Sequence, residues 1–299
     1  MGRARILYSS ARRFAQRGFT LVELVVVIIL TSIIAASATV FFRPALESYF
    51  DTRRRAELTD MADATLRRMA RDVRSAVPNS VTALNSGQCL TFVPTIAGGR
   101  YRMEDDPANA DSRSLVLPTA ANADSEFDIL ALSEIQNPLS ALKNQYIVIG
   151  NQVREMVYAG GNRAEIKDVQ ASGTGKYRLV TGSLTDAGLN GYDVGRFLVV
   201  PKARSKITYL CSGVGVNPQG TGTGVLYKVI EQLSNGGAPD CPLAVNGVIV
   251  ARHISQCGFY YDPNHGATQQ SGFVSMNLEL KEANEAVALS YGAHVSNLP

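Results

Sequence analysis

The residue types that carry out catalysis are sparse in this chain of 299 residues. His253, His265 and His294 are its three histidines, and none lies in the HExxH frame of a metalloprotease. The sequence has no GxSxG nucleophile motif, and Gly175-Lys176 lacks the earlier glycine of a phosphate-binding loop. Because His265 lies in a turn-forming stretch, it is interpreted as a solvated surface residue. We therefore predict that the protein is not an enzyme and binds no cofactor.

One acidic segment offers the oxygen ligands that calcium prefers. Glu104 belongs to this segment together with Asp105, Asp106 and Asp111. Hard cations such as calcium are bound by carboxylate oxygens, but the spacing of these residues is not that of an EF-hand loop. The prediction is that the protein has no metal site, with a calcium hypothesis kept for Asp105, Asp106 and Asp111.

Four cysteines allow three disulfide pairings. Cys89, Cys211, Cys241 and Cys257 all follow the apolar segment described next, and their even number is typical of disulfides in an oxidising compartment. The absence of a CxxC motif argues against zinc or thioredoxin-type chemistry. Because Cys211 ends one candidate strand and Cys257 lies within another, a bridge between neighbouring strands is the first choice. Cys89 and Cys241 then form the second pair or stay free.

A single carboxylate stands next to a long apolar run near the N-terminus. Glu23 precedes nineteen residues, 24–42, that carry no charge, and Arg43 and Pro44 end the run. Nineteen helical residues span about 29 Å, which matches a membrane hydrocarbon core of about 30 Å. An ionised carboxylate facing lipid costs about 2–3 kcal/mol, so Glu23 needs a partner.

The formal net charge of +3 comes from residues 1–18, which contain five arginines and no acid. Without these five, the 29 basic residues fall to 24, against 26 acidic ones, so the remainder has a net charge of −2. This distribution argues against a nucleic-acid-binding domain, and no nucleic-acid partner is predicted. By the positive-inside rule, residues 1–18 stay in the cytoplasm and the chain after Arg43 is translocated, into the periplasm of a Gram-negative cell.

Three interpretations of this N-terminal segment compete. A cleavable secretory signal explains the basic leader, and Ala36-Ser37-Ala38 resembles a cleavage site, but its apolar region would be long and would start with an acid. A plain membrane anchor explains the length of the run and gives no reason for Glu23. An assembly signal accounts for both features.

The segment Gly18-Phe19-Thr20-Leu21-Val22-Glu23 resembles the class III signal of type IV pilins and pseudopilins. The resemblance implies that a prepilin peptidase cuts between Gly18 and Phe19 on the cytoplasmic side and methylates the new amine of Phe19. It also implies that Glu23 pairs with the N-terminal amine of a neighbouring subunit in the filament. In a filament core of low dielectric, such a contact is strong and an unpaired partner is costly.

The rest of the sequence predicts an α+β fold of the type IV pilin kind, with a long N-terminal helix packed on an antiparallel β-sheet head that carries long loops. Leu58, Leu66 and Met69 belong to an apolar pattern at spacings of three and four, which extends to about residue 77. After Pro78, short β-type runs alternate with turn residues. The predicted strands are 89–93, 115–117, 129–132, 146–149, 154–158, 177–181, 197–200, 206–210, 226–230, 254–261, 273–280 and 286–291. Residues 98–128 and 213–224 are interpreted as long loops.

Four segments follow from these patterns. Residues 1–18 are predicted to be the cytoplasmic leader, and residues 19–43 the helix that spans the membrane and enters the filament core. Residues 44–77 are predicted to continue this helix as an amphipathic one. Residues 78–299 are predicted to form a periplasmic, β-rich head.

Several short segments of the sequence resemble particular groups of proteins within the family. They are similar to large minor pilins of the PilW and GspJ type and to minor pilins of the mannose-sensitive haemagglutinin pilus, and they occupy residues 69–74, 78–81, 89–94, 99–101, 209–211, 257–263 and 294–299. The implied partners are the prepilin peptidase, other minor and major pilins and the inner-membrane assembly platform. The implied location is the inner membrane before assembly and the pilus at the cell surface afterwards.

Two alternatives remain open. A J-type minor pseudopilin of type II secretion has the same kind of N-terminus. A membrane-anchored periplasmic binding protein or hydrolase would belong to a different functional class.

Overall fold

A computed structural model describes residues 18–115, 125–184, 194–265 and 271–298. The chain divides into two compact units, Met1–Arg53 and Arg54–Pro299. A single helix, α1 (Leu21–Arg74), begins in the first unit and ends in the second, and the chain stays helical across Pro44. The predicted strand at 115–117 falls mostly outside the described residues.

The second unit continues with strands and two short helices. In chain order these are β1 (Thr82–Leu84), β2 (Cys89–Phe92), β3 (Ala97–Tyr101), β4 (Ser125–Leu132), α2 (Pro138–Ala141), β5 (Tyr146–Val148), α3 (Arg154–Ala159), β6 (Arg163–Ala171), β7 (Tyr177–Thr181), β8 (Arg196–Val200), β9 (Lys206–Ser212), β10 (Gly224–Glu231), β11 (Val248–His265), β12 (Ser271–Glu282) and β13 (Glu285–Ser296). Short 3₁₀ turns lie at Asn85–Gly87, Lys202–Arg204 and Ala244–Asn246.

Seven strands form an antiparallel sheet against which the second half of α1 packs. Their order is β1-β2-β9-β10-β11-β12-β13. The buried residues of α1 recur at spacings of three and four, as one helix face requires, and they are Leu58, Ala62, Thr65, Leu66, Met69, Ala70 and Val73. All of them except Thr65 share an apolar core with Phe92, Tyr209 and Met276 of the sheet. The predicted α+β class, with a long helix on an antiparallel sheet, is confirmed.

The helix ends a few residues earlier than the predicted position of 77. From Ser75 the chain turns towards the sheet, where the Val77 amide donates a hydrogen bond to the Val93 carbonyl at 2.8 Å. Pro78 contributes to this end, because a residue that precedes proline disfavours the helical conformation.

The other six strands close into a barrel with the order β3-β4-β7-β6-β5-β8. The barrel is inserted between β2 and β9, which pair directly with each other in the sheet. Its interior is filled by apolar side chains that include Phe127, Ile147 and Phe197. A smaller cluster, with Val93, Val148 and Val200 among its members, joins the barrel to the sheet.

The barrel corrects the interpretation of residues 98–128 as one long loop, because β3 and β4 lie at its two ends. Gly98 and Gly99 lie in β3, although glycine is generally disfavoured in strands. However, a Cβ atom at Gly99 would lie 2.1 Å from the Ala131 carbonyl oxygen and 2.7 Å from Phe197 Cζ. A strand that is approached so closely by a neighbouring backbone and ring requires glycine.

The prediction of a strand at 154–158 is also wrong, because this segment forms α3. The helix ends at Gly160, whose φ of 94° lies in the left-handed region and whose amide donates to the Met156 carbonyl at 2.9 Å. This is a common way to end a helix. Val157 and Tyr158 are buried, so tertiary packing stabilises a helix that is too short to be stable alone.

Candidate processing and assembly site

Three residues precede the first turn of α1 and are exposed. Phe19 is 79% exposed, and a Cβ atom at Gly18 would meet nothing within 4 Å. Close packing among the described residues therefore does not explain why glycine occupies position 18. Both residues that flank the Gly18–Phe19 peptide bond are exposed.

Thr20 caps the N-terminus of α1. The Glu23 amide donates to Thr20 Oγ1 at 3.2 Å, and the Leu24 amide donates to the Thr20 carbonyl at 3.1 Å. The first contact satisfies an amide that a helix start leaves free, and the second is the first main-chain hydrogen bond of the helix. The Thr-x-x-Glu spacing of a capping box is visible in the sequence, but this cap was missed. It holds Glu23 in the first turn, where the helix dipole favours a carboxylate.

The apolar run of α1 presents its side chains outward. Among the described residues, α1 is the one helix that is long and apolar enough to cross a membrane, and residues 24–42 are exposed apart from half-buried Ala38. The hydroxyl groups within this run donate to carbonyls three or four residues earlier, and they belong to Thr31, Ser32, Ser37 and Thr39. The run can therefore enter apolar surroundings without leaving these donors unsatisfied.

The profile of the prokaryotic N-terminal methylation motif matches residues 13–39. The match supports a type IV pilin or pseudopilin. The motif covers Gly18, Phe19, Glu23 and most of the apolar run. A search of curated proteins found no match, and neither did a search of solved structures.

The motif at the N-terminus is typical of a known class of proteins. Proteins that carry the motif are structural and are not enzymes. The motif implies processing by a prepilin peptidase. It also implies association with other pilins. Together with the apolar half of α1, it supports a protein anchored in the inner membrane.

Two disulfides link elements of the second unit. Cys89 is bonded to Cys241, and Cys211 to Cys257. The expectation of disulfide bonds is therefore confirmed. β10 begins at Gly224, which pairs with Ile254 of β11, so Cys257 lies in the part of β11 that extends beyond β10. The second disulfide joins β9 to this extension.

The acidic segment does not form a calcium site among the described residues. Asp105 accepts a hydrogen bond from the Ser114 amide at 2.6 Å, and Asp106 accepts one from the Ala108 amide at 3.0 Å. Asp111 pairs with Arg178 at 3.4 Å. Within the described ranges, no group of three or more histidine, cysteine, aspartate or glutamate side chains could hold a metal. Each carboxylate of the calcium hypothesis, those of Asp105, Asp106 and Asp111, makes a contact within the chain.

The three histidines do not form a catalytic group in the described part of the chain. The rings of His265 and His294 pack against Phe273, with centroids 4.6 and 5.1 Å from the Phe273 ring. His253 lies elsewhere in β11, at a φ of 61°. None of them makes the paired contact with a nucleophile that catalysis requires.

A buried carboxylate that the sequence did not reveal is Asp128 of β4. It is fully buried and accepts hydrogen bonds from Arg178 Nε at 2.9 Å, from the Thr174 hydroxyl at 2.5 Å and from the Ser172 hydroxyl at 3.0 Å. The Arg113 amide donates a further one at 3.1 Å. Burial alone would raise the pKa of Asp128, but these donors outweigh it and lower the pKa to about 2. With every donor supplied by the chain, Asp128 has a structural role.

Proposed function

We propose that the protein is a minor pilin of a type IV pilus, similar to MshO of the mannose-sensitive haemagglutinin pilus, that primes filament assembly or caps the filament tip. The observation that carries the proposal is the N-terminal arrangement. An exposed Gly18–Phe19 bond precedes a capped helix that holds Glu23 in its first turn and presents an apolar surface.

The proposed sequence of events starts in the inner membrane. Residues 1–18 lie in the cytoplasm, residues 19–43 cross the membrane, residues 44–77 continue the helix, and residues 78–299 form the periplasmic head. A prepilin peptidase cuts after Gly18 and methylates the amine of Phe19. The helix then leaves the membrane for the filament, where Glu23 pairs with the N-terminal amine of a neighbouring subunit. That pairing replaces the water that an ionised carboxylate loses on entering the apolar core.

The assignment to a minor pilin rests on the segments at 69–74 and 78–81, which are similar to the PilW and GspJ type, and on segments of the head that are similar to MshO. Assembly partners are other minor and major pilins and the assembly platform. A J-type pseudopilin of type II secretion has the same N-terminal chemistry, and the subunits that co-purify with the protein distinguish the two systems. The described residues contain no converged catalytic group that favours a hydrolase.

Mass spectrometry of the mature N-terminus tests the proposal. We expect a chain that starts at N-methylated Phe19. A start near Thr39 would indicate an ordinary secreted protein and would overturn the proposal.

A pair of substitutions makes this test sharper. Gly18→Asp should leave the full-length chain in the membrane. Gly173→Asp is the matched control, because a Cβ atom at either glycine meets nothing within 4 Å. Normal processing of Gly18→Asp would contradict the proposal.

A further inference from the structure

The strand β13 leaves a long open edge on the seven-stranded sheet. It pairs with β12 over twelve residues, from Glu285 to Ser296, without a register shift. Among the described residues, no strand pairs with its other edge. The other described strands leave no open edge of comparable length, because the barrel is closed and β1, at the far end of the sheet, has only three residues.

The turn before β13 determines which of its main-chain groups face the open edge. Ala283 and Asn284 have φ values of 48° and 71°, as a two-residue type I′ hairpin requires. Glu282 and Glu285 flank this turn and exchange both hydrogen bonds, and the pairs then alternate along an antiparallel ladder. The residues that direct their main-chain N–H and C=O groups towards the open edge are therefore Ala286, Ala288, Ser290, Gly292 and His294.

This edge has none of the devices that usually prevent strands from pairing. Natural sheets protect their edges with charged side chains, proline, bulges or very short strands. Residues 286–293 contain no charge and no proline, and their pairing with β12 has no bulge. Glu285, at the start of the strand, is already paired with Arg55 at 2.8 Å.

We propose that β13 is a docking strand that receives an antiparallel extended segment of another polypeptide. Its outward N–H and C=O groups require a main chain as partner, because an extended strand supplies acceptors and donors at the same spacing. Val287, Leu289 and Tyr291 are half-buried against the core under α1. An incoming strand therefore places apolar residues beside these three.

The solvent-exposed face of β13 determines which residues the partner strand carries at its alternate positions. On that face the side chains of β13 are exposed and small at Ala286, Ala288, Ser290 and Gly292. The partner strand therefore has a period of two, with apolar residues towards the helix and small or polar ones towards solvent. β12 has this pattern, with Val274, Met276 and Leu278 buried and Asn277 exposed. The inference does not depend on the proposed pilus function, since it follows from β12 and β13 alone.

A peptide with the sequence of Ser271–Glu282 is a suitable probe, because this sequence already complements β13 on its paired edge. The full-length chain in detergent is titrated with the labelled peptide, and binding is followed by fluorescence anisotropy. We expect saturable binding and slower amide exchange at Ala288, Ser290 and Gly292. A scrambled peptide of the same composition should not bind.

Substitution of Ser290 tests where the peptide binds. Ser290→Pro removes an outward amide without removing a bond to β12, so the sheet should be retained. Peptide binding should weaken by about tenfold, which corresponds to one lost hydrogen bond. Ser290→Ala should bind as the unchanged chain does. Ser290→Lys places a charge on the edge and should also weaken binding.

Three results would overturn the proposal. The first is that the unchanged chain does not bind the peptide, or binds it no more tightly than the scrambled form. The second is that Ser290→Pro keeps the thermal midpoint of the unchanged chain and binds the peptide equally well. The third is that light scattering shows a dimer that Ser290→Pro makes monomeric, which would assign the edge to a second copy of this chain.

Discussion

Tyr209 donates a hydrogen bond from its hydroxyl to Asp72 Oδ2 at 2.6 Å and thereby joins β9 to the last turn of α1. Lys228 of β10 contacts the same carboxylate oxygen. Burial raises the pKa of Tyr209, and the hydrogen bond to Asp72 raises it further, so the hydroxyl remains a donor. One carboxylate therefore ties the helix to two neighbouring strands.

Removal of the Tyr209 hydroxyl should loosen this connection. We expect Tyr209→Phe to lower the free energy of unfolding by about 1–2 kcal/mol, because a charged acceptor loses one of its donors. Denaturant unfolding of the full chain in detergent measures the change. Tyr260→Phe is the control, since Tyr260 is 64% exposed, and it should leave stability unchanged. Equal stability of both variants would contradict the prediction.

The acid stability of the head should depend on Asp128. Its pKa is about 2 in the folded chain and about 3.9 in an unfolded one. The unfolded state therefore binds the proton more readily, and the stabilisation by Asp128 is complete above about pH 5 and is lost as the pH falls towards 2. The lowered pKa corresponds to about 2–3 kcal/mol of stability at neutral pH.

Asp128→Asn tests this pH dependence. The variant should be less stable at pH 7 and should lose less stability than the unchanged chain between pH 4 and pH 2. Glu104→Gln, at an exposed position after β3, is the control and should follow the unchanged chain. Unfolding free energies measured across this pH range decide the matter, and parallel curves for all three chains would exclude the role of Asp128.

The barrel should not tolerate a side chain at position 99. We expect Gly99→Ala to destabilise the head by about 1–3 kcal/mol, because the new methyl group would overlap the Ala131 carbonyl and the Phe197 ring. Gly173→Ala is the matched control, with nothing within 4 Å of its Cβ atom. Thermal unfolding of the two variants checks the prediction, which fails if both melt alike.

Local patterns made part of the fold predictable from the sequence. The buried face of α1 follows the spacing of Leu58, Leu66 and Met69, and the alternation at 273–280 corresponds to β12. The closed barrel was not predictable in this way, because its closure depends on pairs such as Gly98 with Leu198 that are distant in the sequence. α3 was mistaken for a strand because six residues are too few to show a helical period.

The functional and structural groups of the chain also differ in how far the sequence alone predicts them. Gly18, Phe19, Glu23 and the apolar run lie within one short segment, so their order in the sequence is enough to suggest an assembly signal. The donors to Asp128 come from Arg113, Ser172, Thr174 and Arg178, which only the folded chain brings together. No short sequence motif indicates such a set of hydrogen-bond donors around a carboxylate.

The proposed pairing of Glu23 predicts a variant that is processed but not assembled. Glu23→Gln keeps the shape of the side chain and removes the charge that would meet the N-terminal amine. Because an unpaired amine in an apolar core costs about 3–5 kcal/mol, we expect at least a tenfold lower amount in sheared filaments. Cleavage after Gly18 and the amount in the membrane should not change. Glu47→Gln, at an exposed position of the same helix, should assemble normally. Immunoblots of the filament and membrane fractions measure both variants, and normal assembly of Glu23→Gln would rule out this pairing as the force that recruits the subunit.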